Sequence, residues 1–186
     1  MPNSPVIILD RDGVINEDSD NYVKSPEEWN PIPGSLEAMA RLTQAGYRIA
    51  ICTNQSGIAR GYYDISTLNA MHEKMHTLLT PLNGRVDAIF YCPHGSDDHC
   101  DCRKPLPGLL YQVAERFQIE LAGVPVVGDS LRDLQAAQAV EAMPILVRTG
   151  KGPRTLAKQD AFAAMGLIHP IIHDNLADYV DSLLTH

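Results

Sequence analysis

Long apolar runs are missing from this chain. No uninterrupted apolar stretch approaches the roughly 20 residues that a membrane-spanning helix needs. Residues 1–5 have no basic region and are not followed by the apolar pattern of a signal peptide. We therefore expect no membrane partner and a cytoplasmic location.

Basic residues are scarce as well. The 186 residues include 15 lysines and arginines against 23 aspartates and glutamates, which gives a formal net charge of −8. Proteins bind nucleic acids largely through basic groups that neutralise phosphates, so this balance opposes nonspecific binding. We expect no nucleic-acid partner, although the balance is compatible with a local basic site.

Cysteine is rare, and three of the four cysteines cluster within residues 92–102. Three thiolates and an imidazole in this stretch match a closed tetrahedral zinc site of the Cys₃His type better than a disulfide framework. The expected zinc ligands are Cys92, His94, Cys100 and Cys102. His99 is a rival fourth ligand, whereas Cys52 stands alone and is expected in the core. We predict that this zinc ion is structural.

Short β-rich apolar runs alternate with helix-like patterns along the chain. The runs lie at residues 6–9, 49–52, 86–91, 124–127 and 145–147, and the helical spacing occurs at residues 36–45, 67–79, 109–117, 131–140 and 176–184. The alternation predicts an α/β fold with a parallel sheet. Length and an apolar content of 45% favour one domain over residues 1–186.

Some smaller features refine this prediction. Ser66 is expected to cap the second helix, and Gly46, Asn83 and Gly84 suit helix ends and turns. Residues 150–186 carry no recognisable chemistry and are expected to complete the sheet.

Two acids stand directly after the first predicted strand. Asp10 and Asp12 are two residues apart, and Gly13 permits a tight turn after them. The carboxyl ends of strands form the ligand crevice in open α/β folds. Acidic residues also solvate strand ends without any function, so this pair alone does not identify a site.

A second acidic pair follows the fourth predicted strand. Asp129 and Asp133 are four residues apart and would share a face of the helix that they enter. Carboxylates from two strand ends supply the hard oxygen ligands that Mg²⁺ prefers. The alternative is that Asp129 only caps the helix.

Groups suited to phosphate follow the second and third predicted strands. They are Thr53, Asn54, Gln55, Ser56, Arg103 and Lys104. Hydroxyls, backbone N–H groups and an ammonium group all bind phosphate oxygens. Each is a weak signal alone, and their order after consecutive strands makes the pattern specific.

This order of motifs resembles the haloacid dehalogenase-like superfamily, and the resemblance covers most of the chain. It implies a Rossmann-like parallel sheet flanked by helices. It also implies that Asp10 is the nucleophile, Asp12 the general acid and then base, and that Thr53 and Lys104 hold the phosphoryl group. Mg²⁺ would bind Asp10, the Asp12 backbone carbonyl and Asp129. Dehalogenases lack an acid at the position of Asp12, so phosphoryl transfer is favoured.

Two branches of this superfamily are candidates. The runs D-R-D-G-x-x-N at residues 10–16 and T-N-Q-S-G-I-A-R-G at 53–61, with the Cys/His loop, resemble the heptose 1,7-bisphosphate phosphatases. That branch removes the C7 phosphate during nucleotide-heptose synthesis for lipopolysaccharide or S-layer sugars. Histidinol-phosphate phosphatases share the loop and remain an alternative. Asp133 is expected to orient Lys104, which the zinc loop would hold in place.

The segments between the motifs leave no room for a separate cap domain, so the pocket should be open and built from loops. The residues expected to contact a small phosphorylated sugar are Asp18, Asn21, Tyr22, Asn54, Gln55, Ser56, Arg60 and Arg103. We expect a monomer.

Residues 72–76 also satisfy H-E-x-x-H, which is formally a zinc-protease signature. No third ligand is evident, and the neighbouring apolar residues indicate an ordinary amphipathic helix. His72 and His76 are expected at the surface or its boundary.

Overall fold

The computed structural model describes residues 4–185. Its strands are β1 (Val6–Leu9), β2 (Arg48–Asn54), β3 (Ala88–Cys92), β4 (Pro125–Gly128), β5 (Met143–Val147) and β6 (Ile171–His173). Its α-helices are α1 (Ser35–Gln44), α2 (Ile65–Leu79), α3 (Gly108–Phe117), α4 (Leu131–Gln138), α5 (Gly152–Leu156) and α6 (Leu176–Leu184). Short 3₁₀ helices occupy Thr80–Leu82 and Gln159–Ala161.

The strands form one parallel sheet in the order β3-β2-β1-β4-β5-β6. This confirms the predicted α/β parallel sheet. The strand order reverses at β1, which lies between β2 and β4. Ligands bind outside the carboxyl ends of the strands at such a switch point. The ends of β1 and β4 therefore bring Asp10 and Asp129 to neighbouring positions.

The core lies on both faces of the sheet. In β1, Ile7 and Leu9 pack with α1, α2 and α6, whereas Val6 and Ile8 pack with α3 and α4. This alternation follows from the two-residue period of a strand, and burial of both faces explains why β1 is apolar throughout. Within residues 4–185 there is no second sheet that could form a cap over the strand ends.

A helix that crosses a bilayer needs roughly 20 mostly apolar residues. Between residues 4 and 185, none of the helices combines the necessary length with a sufficiently apolar composition.

The main differences from the predicted elements lie at ends and edges. Residues 150–186 contribute β6 at the sheet edge, as expected, but also α5, which was not predicted. The predicted N-cap of α2, Ser66, is wrong. Asp64 is the N-cap, because its side chain accepts a hydrogen bond from the backbone N–H of Thr67 at 2.8 Å. Ser66 lies inside the first turn.

We expect Asp64→Ala to lower the free energy of unfolding by about 1 kcal/mol, because it removes the acceptor of an otherwise unpaired helix N–H. Urea denaturation measures the change. Ser66→Ala is the matched control and should stay within about 0.5 kcal/mol of the parent chain. A larger loss for Ser66→Ala than for Asp64→Ala would contradict the assignment.

Candidate active site

A cavity of about 380 Å³ opens at the carboxyl ends of the strands. The expected site residues that line it are Asp10, Asp12, Asp18, Tyr22, Asn54, Gln55, Ser56, Arg60, Arg103, Lys104 and Asp129. Three other expected residues do not line it. Asp133 and Thr53 are buried beneath the cavity, and Asn21 is exposed to solvent. The expected substrate contact by Asn21 is therefore not supported by its position.

Lys104 connects the acidic groups. Its Nζ lies 3.0 Å from Asp10 Oδ1 and 2.6 Å from Asp133 Oδ1, and it donates to the Cys52 carbonyl at 2.8 Å. Burial alone would lower the pKa of Lys104, but the charges of Asp10 and Asp133 outweigh burial and raise this pKa above its ordinary value. Lys104 is therefore a buried ammonium with three acceptors.

Asn54 and the Cys/His loop hold the backbone that carries this lysine. The Asn54 amide accepts from the Lys104 N–H and donates to the Lys104 carbonyl, both at 3.0 Å. Arg103 Nη1 donates to the His94 carbonyl at 3.1 Å. Asn54 borders the cavity, and these bonds use one N–H and one lone pair of its amide, so its expected sugar contact stays a prediction.

Asp133 orients Lys104 and also caps α4. Its Oδ2 accepts from the N–H of Ser130 at 3.0 Å and from the Ser130 hydroxyl at 2.7 Å, completing a capping box. Ser130 is the N-cap, so the alternative that Asp129 caps the helix is wrong. Asp129 precedes the helix, and the two acids approach each other without sharing a helix face.

The Asp129 carboxylate sits in a slot between two glycines. A Cβ on Gly13 would lie 2.0 Å from Asp129 Oδ2, and one on Gly150 would lie 2.2 Å away. The same oxygen accepts from the Lys151 N–H at 2.7 Å. Thr155 Oγ1 donates to the Asp129 carbonyl at 2.8 Å. The slot leaves Oδ1 without a hydrogen bond from the described residues.

The acids in this cluster outnumber the positive charge that faces them. Asp10, Asp129 and Asp133 each offer a carboxylate oxygen, and these atoms lie within 4.8 Å of one another. Burial and the charge of Asp133 raise the pKa of Asp10 to about 7. Burial and the charge of Asp10 raise the pKa of Asp129 to about 8. A bound divalent cation would relieve this repulsion.

Asp12 lies apart from that cluster and is held by donors. Arg11 Nη2 lies 3.0 and 3.2 Å from its two oxygens, Asn16 Nδ2 donates at 2.8 Å and Gln55 Nε2 donates at 2.9 Å. Although burial raises the pKa of Asp12, the charge of Arg11 and these hydrogen bonds lower it below its usual value. Asp12 is therefore an ionised carboxylate.

Gln55 borders the cavity but is saturated by protein partners. Its Nε2 donates to Asp12 and to Thr53 Oγ1, and its Oε1 accepts from Arg11 and Tyr63. A side-chain amide has two N–H donors and two lone pairs, so none is free for a sugar hydroxyl. This corrects the expected role of Gln55 and gives the Thr53 hydroxyl a protein partner.

Two segments form the rim of the cavity. Lys151 Nζ pairs with Asp18 at 2.8 Å, which joins the loop after β1 to the start of α5. Tyr22 has φ 66°, a strained conformation for a tyrosine, and its ring packs edge-on against Tyr62 at 5.1 Å between centroids. The Arg60 guanidinium lies 5.9 Å from the Tyr22 ring centroid. Asp18, Tyr22 and Arg60 are thus placed at the rim as expected.

The sequence interpretation missed several lining residues. They are Tyr63, Ser96, Ser130, Arg132 and Lys151. Lys151 overturns the statement that residues 150–186 carry no chemistry. A signal was available, because the run at 149–152 directly follows β5, at the same sheet edge as the other motifs. Its polar residues therefore belong to the same ligand crevice.

The Cys/His loop forms a second cluster of potential ligands. Its four atoms come from Cys92, His94, Cys100 and Cys102 and lie within 4.8 Å of one another. The Cys92 and Cys100 sulfurs are 3.8 Å apart, which is too far for a disulfide and close to the roughly 3.8 Å edge of a tetrahedron with 2.3 Å metal–sulfur bonds. His99 is exposed and outside this group. The cluster could bind zinc.

The H-E-x-x-H segment lies on α2, away from both clusters. Among residues 4–185, no group of three potential metal ligands includes His72, Glu73 or His76. His76 is partly exposed, as expected, but His72 is buried and contacts Arg11, which corrects its expected surface position.

A family model, named relatives and a solved structure each match most of this chain. The family model for haloacid dehalogenase-like hydrolases matches residues 5–141. A relative from Bordetella bronchiseptica named D-glycero-beta-D-manno-heptose-1,7-bisphosphate 7-phosphatase is 61% identical over 82% of this chain and 86% of its own. A relative of that name from Pseudomonas aeruginosa is 59% identical over the same shares. The crystal structure of D,D-heptose 1,7-bisphosphate phosphatase from B. bronchiseptica, complexed with magnesium and phosphate, matches with a TM-score of 0.92. It is 55% identical, with 97% of this chain and 98% of that chain covered.

We expect Gly150→Ala to weaken Mg²⁺ binding at least about tenfold, because the new methyl group would displace the Asp129 carboxylate from its slot. Isothermal titration calorimetry measures the affinity. Gly123→Ala is the matched control, since Gly123 also has a positive φ (73°) but nothing within 4 Å of an added Cβ. Equal Mg²⁺ affinities in the two variants would show that the slot does not position Asp129.

Proposed function

The chain belongs to the haloacid dehalogenase-like hydrolase family, and from that premise we propose that it hydrolyses the C7 phosphate of D-glycero-D-manno-heptose 1,7-bisphosphate. The observation that carries the proposal is the Asp10–Lys104–Asp133 arrangement beside Asp129, in a chain 61% identical to a relative named for this activity. The names of the relatives specify the β anomer, which we propose as the substrate. They favour this substrate over histidinol phosphate.

Asp10 is proposed as the nucleophile. Its Oδ1 accepts from the Arg11 N–H at 2.7 Å and faces Lys104, while Oδ2 has no hydrogen bond from residues 4–185. Oδ2 would attack phosphorus in line with the C7 oxygen, forming an aspartyl phosphate as the bond from phosphorus to the sugar oxygen breaks. Lys104 would hold the carboxylate in place and neutralise negative charge on the transferring group.

Asp12 is proposed as the general acid of the first step and the general base of the second. In the first step it would donate a proton to the leaving C7 oxygen, and in the second it would take a proton from the water that attacks the aspartyl phosphate. The second step releases phosphate and regenerates Asp10. The donors around Asp12 stabilise its ionised form, which suits the second step. They oppose the protonated form that the first step uses, so the acid role rests on the family resemblance.

The residues present fit a magnesium ion. Asp10, the Asp12 backbone carbonyl and Asp129 would hold it, since Asp129 Oδ1 and the Asp12 carbonyl accept no hydrogen bond from the described residues. Asp133 uses both oxygens on Lys104 and Ser130 and is not proposed as a ligand. When bound, the cation would supply charge stabilisation for the phosphoryl oxygens. The B. bronchiseptica structure complexed with magnesium and phosphate supports this assignment.

A structural zinc ion is proposed at Cys92, His94, Cys100 and Cys102. The four ligands leave no open coordination position, which is typical of structural sites. Because Arg103 donates to the His94 carbonyl, the zinc loop would also fix the backbone next to Lys104. Zinc would therefore affect catalysis without contacting the substrate.

The wider setting is also a proposal. We place the activity in nucleotide-heptose synthesis for lipopolysaccharide or S-layer sugars. The substrate contacts are proposed for Asp18, Tyr22, Asn54, Ser56, Arg60 and Arg103, which lie around the cavity. A single domain over residues 1–186, a monomer and a cytoplasmic location stay predictions.

The proposed reaction is tested by phosphate release from both anomers of the heptose bisphosphate and from histidinol phosphate. We expect the highest kcat/KM for the β anomer. ³¹P NMR of the product should show that the remaining phosphate is at C1. Asp10→Asn should lower the rate at least about a thousandfold, because the amide cannot attack phosphorus. Asp160→Asn makes the same change at an exposed position and should be neutral.

Two results would count against this reading. A preference for histidinol phosphate would overturn the substrate, and an Asp10→Asn enzyme as active as Asp160→Asn would overturn the mechanism.

We expect Cys100→Ser to reduce the zinc content from about one ion per chain to near zero and to lower the thermal midpoint by about 5 °C or more. Atomic emission and thermal unfolding measure the two effects. Cys52→Ala is the control, because Cys52 is buried outside the cluster, and it should retain zinc. Full zinc content in Cys100→Ser would refute the site.

A further inference from the structure

Arg11 lies beneath the cavity and is fully buried. Its Nη2 contacts both oxygens of Asp12 and donates to Gln55 Oε1 at 3.3 Å. A guanidinium carries its donors in a rigid planar fork, so the orientation of the plane decides whether Nη2 can reach both partners. Whatever fixes that plane therefore also fixes two of the contacts that hold Asp12 and one that holds Gln55.

The other arm of the fork points to α2. Arg11 Nη1 lies 3.3 Å from His72 Nε2, and His72 is 7% exposed. Arginine has no acceptor, so Nε2 must accept and the ring proton must lie on Nδ1. Within residues 4–185, His72 is the side chain that satisfies Nη1. Burial and the charge of Arg11 lower the pKa of His72 to about 3, which agrees with a neutral, accepting ring.

We propose that His72 is a positioning residue for the reaction. By accepting from Arg11 Nη1, it fixes the guanidinium plane that holds Asp12 and Gln55 at the cavity. This inference rests on the proposed phosphatase function and adds a residue of α2 that does not line the cavity. It also gives the first histidine of the H-E-x-x-H segment a role that involves no metal.

Loss of the acceptor has a defined consequence. A buried donor without a partner is unfavourable, so Nη1 would turn toward another acceptor and carry the whole planar fork with it. Nη2 would then leave its position opposite the two oxygens of Asp12. Asp12 acts on protons in the chemical steps, and Gln55 has no free group for substrate. The expected effect is therefore on kcat rather than on KM.

The test compares variants with and without an acceptor at position 72. His72→Met and His72→Phe remove the acceptor, whereas His72→Gln restores an oxygen at similar reach. We expect kcat to fall about tenfold in the first two, a part of what general acid–base catalysis contributes, with KM changed less than about threefold. His72→Gln should stay within about threefold of the parent in both. Because His72→Met and His72→Phe differ in shape, a folding defect in one leaves the other to decide.

His76→Met is the matched control, one turn further along α2 and partly exposed. It should leave kcat unchanged. An equal kcat in His72→Met, His72→Phe and His76→Met would overturn the inference, and so would a His72→Gln enzyme as impaired as His72→Met.

A double-mutant cycle separates positioning from general destabilisation. In an Asp12→Asn background, His72→Met should cause less than about a twofold further loss in phosphate release, because the group that His72 positions is already missing. A further tenfold loss would show that His72 acts elsewhere and would overturn the inference. A parent enzyme that releases no phosphate from the heptose bisphosphate would instead refute the proposed function.

Discussion

One buried ammonium group organises the candidate site. Lys104 draws Asp10 from the end of β1 and Asp133 from α4 to within hydrogen-bonding distance, and its third donor reaches the Cys52 carbonyl of β2. Without this charge, the carboxylates of Asp10, Asp129 and Asp133 would repel one another in a buried place. Burial and the neighbouring carboxylates raise the pKa values of both Asp10 and Asp129, although Lys104 lowers that of Asp10. Three carboxylates facing one ammonium group leave an excess of negative charge, which a bound divalent cation would neutralise.

The sequence was sufficient to predict the framework of this arrangement. Asp10, Lys104 and Asp129 each follow an apolar run, and the carboxyl ends of strands share one edge of a parallel sheet, so the sequence predicts that these residues lie together. The same rule also applies to Lys151 after β5. Lys151 belongs to no familiar motif, so its position near the site was not predicted. The strand and helix interiors were predictable for a similar reason, since their apolar periodicity reflects burial.

Local hydrogen-bonding geometry was not predictable. Gln55 looked like a substrate contact because polar residues at strand ends often bind ligands, yet its amide is fully used on Asp12, Thr53, Arg11 and Tyr63. The choice between Asp64 and Ser66 as N-cap depends on a single turn of backbone, and both residue types cap helices well. Such assignments require the directions of side chains, which a sequence pattern does not contain.

The two oxygens of Asp133 divide their work between the site and the fold. One holds Lys104, and the other ties down the first turn of α4 through Ser130. Fraying of that turn would release the carboxylate and leave Lys104 with Asp10 and the Cys52 carbonyl as acceptors, so local opening of α4 would also loosen the ammonium group. Hydrogen exchange of the backbone N–H groups in that turn would therefore report how often Lys104 loses one of its three acceptors.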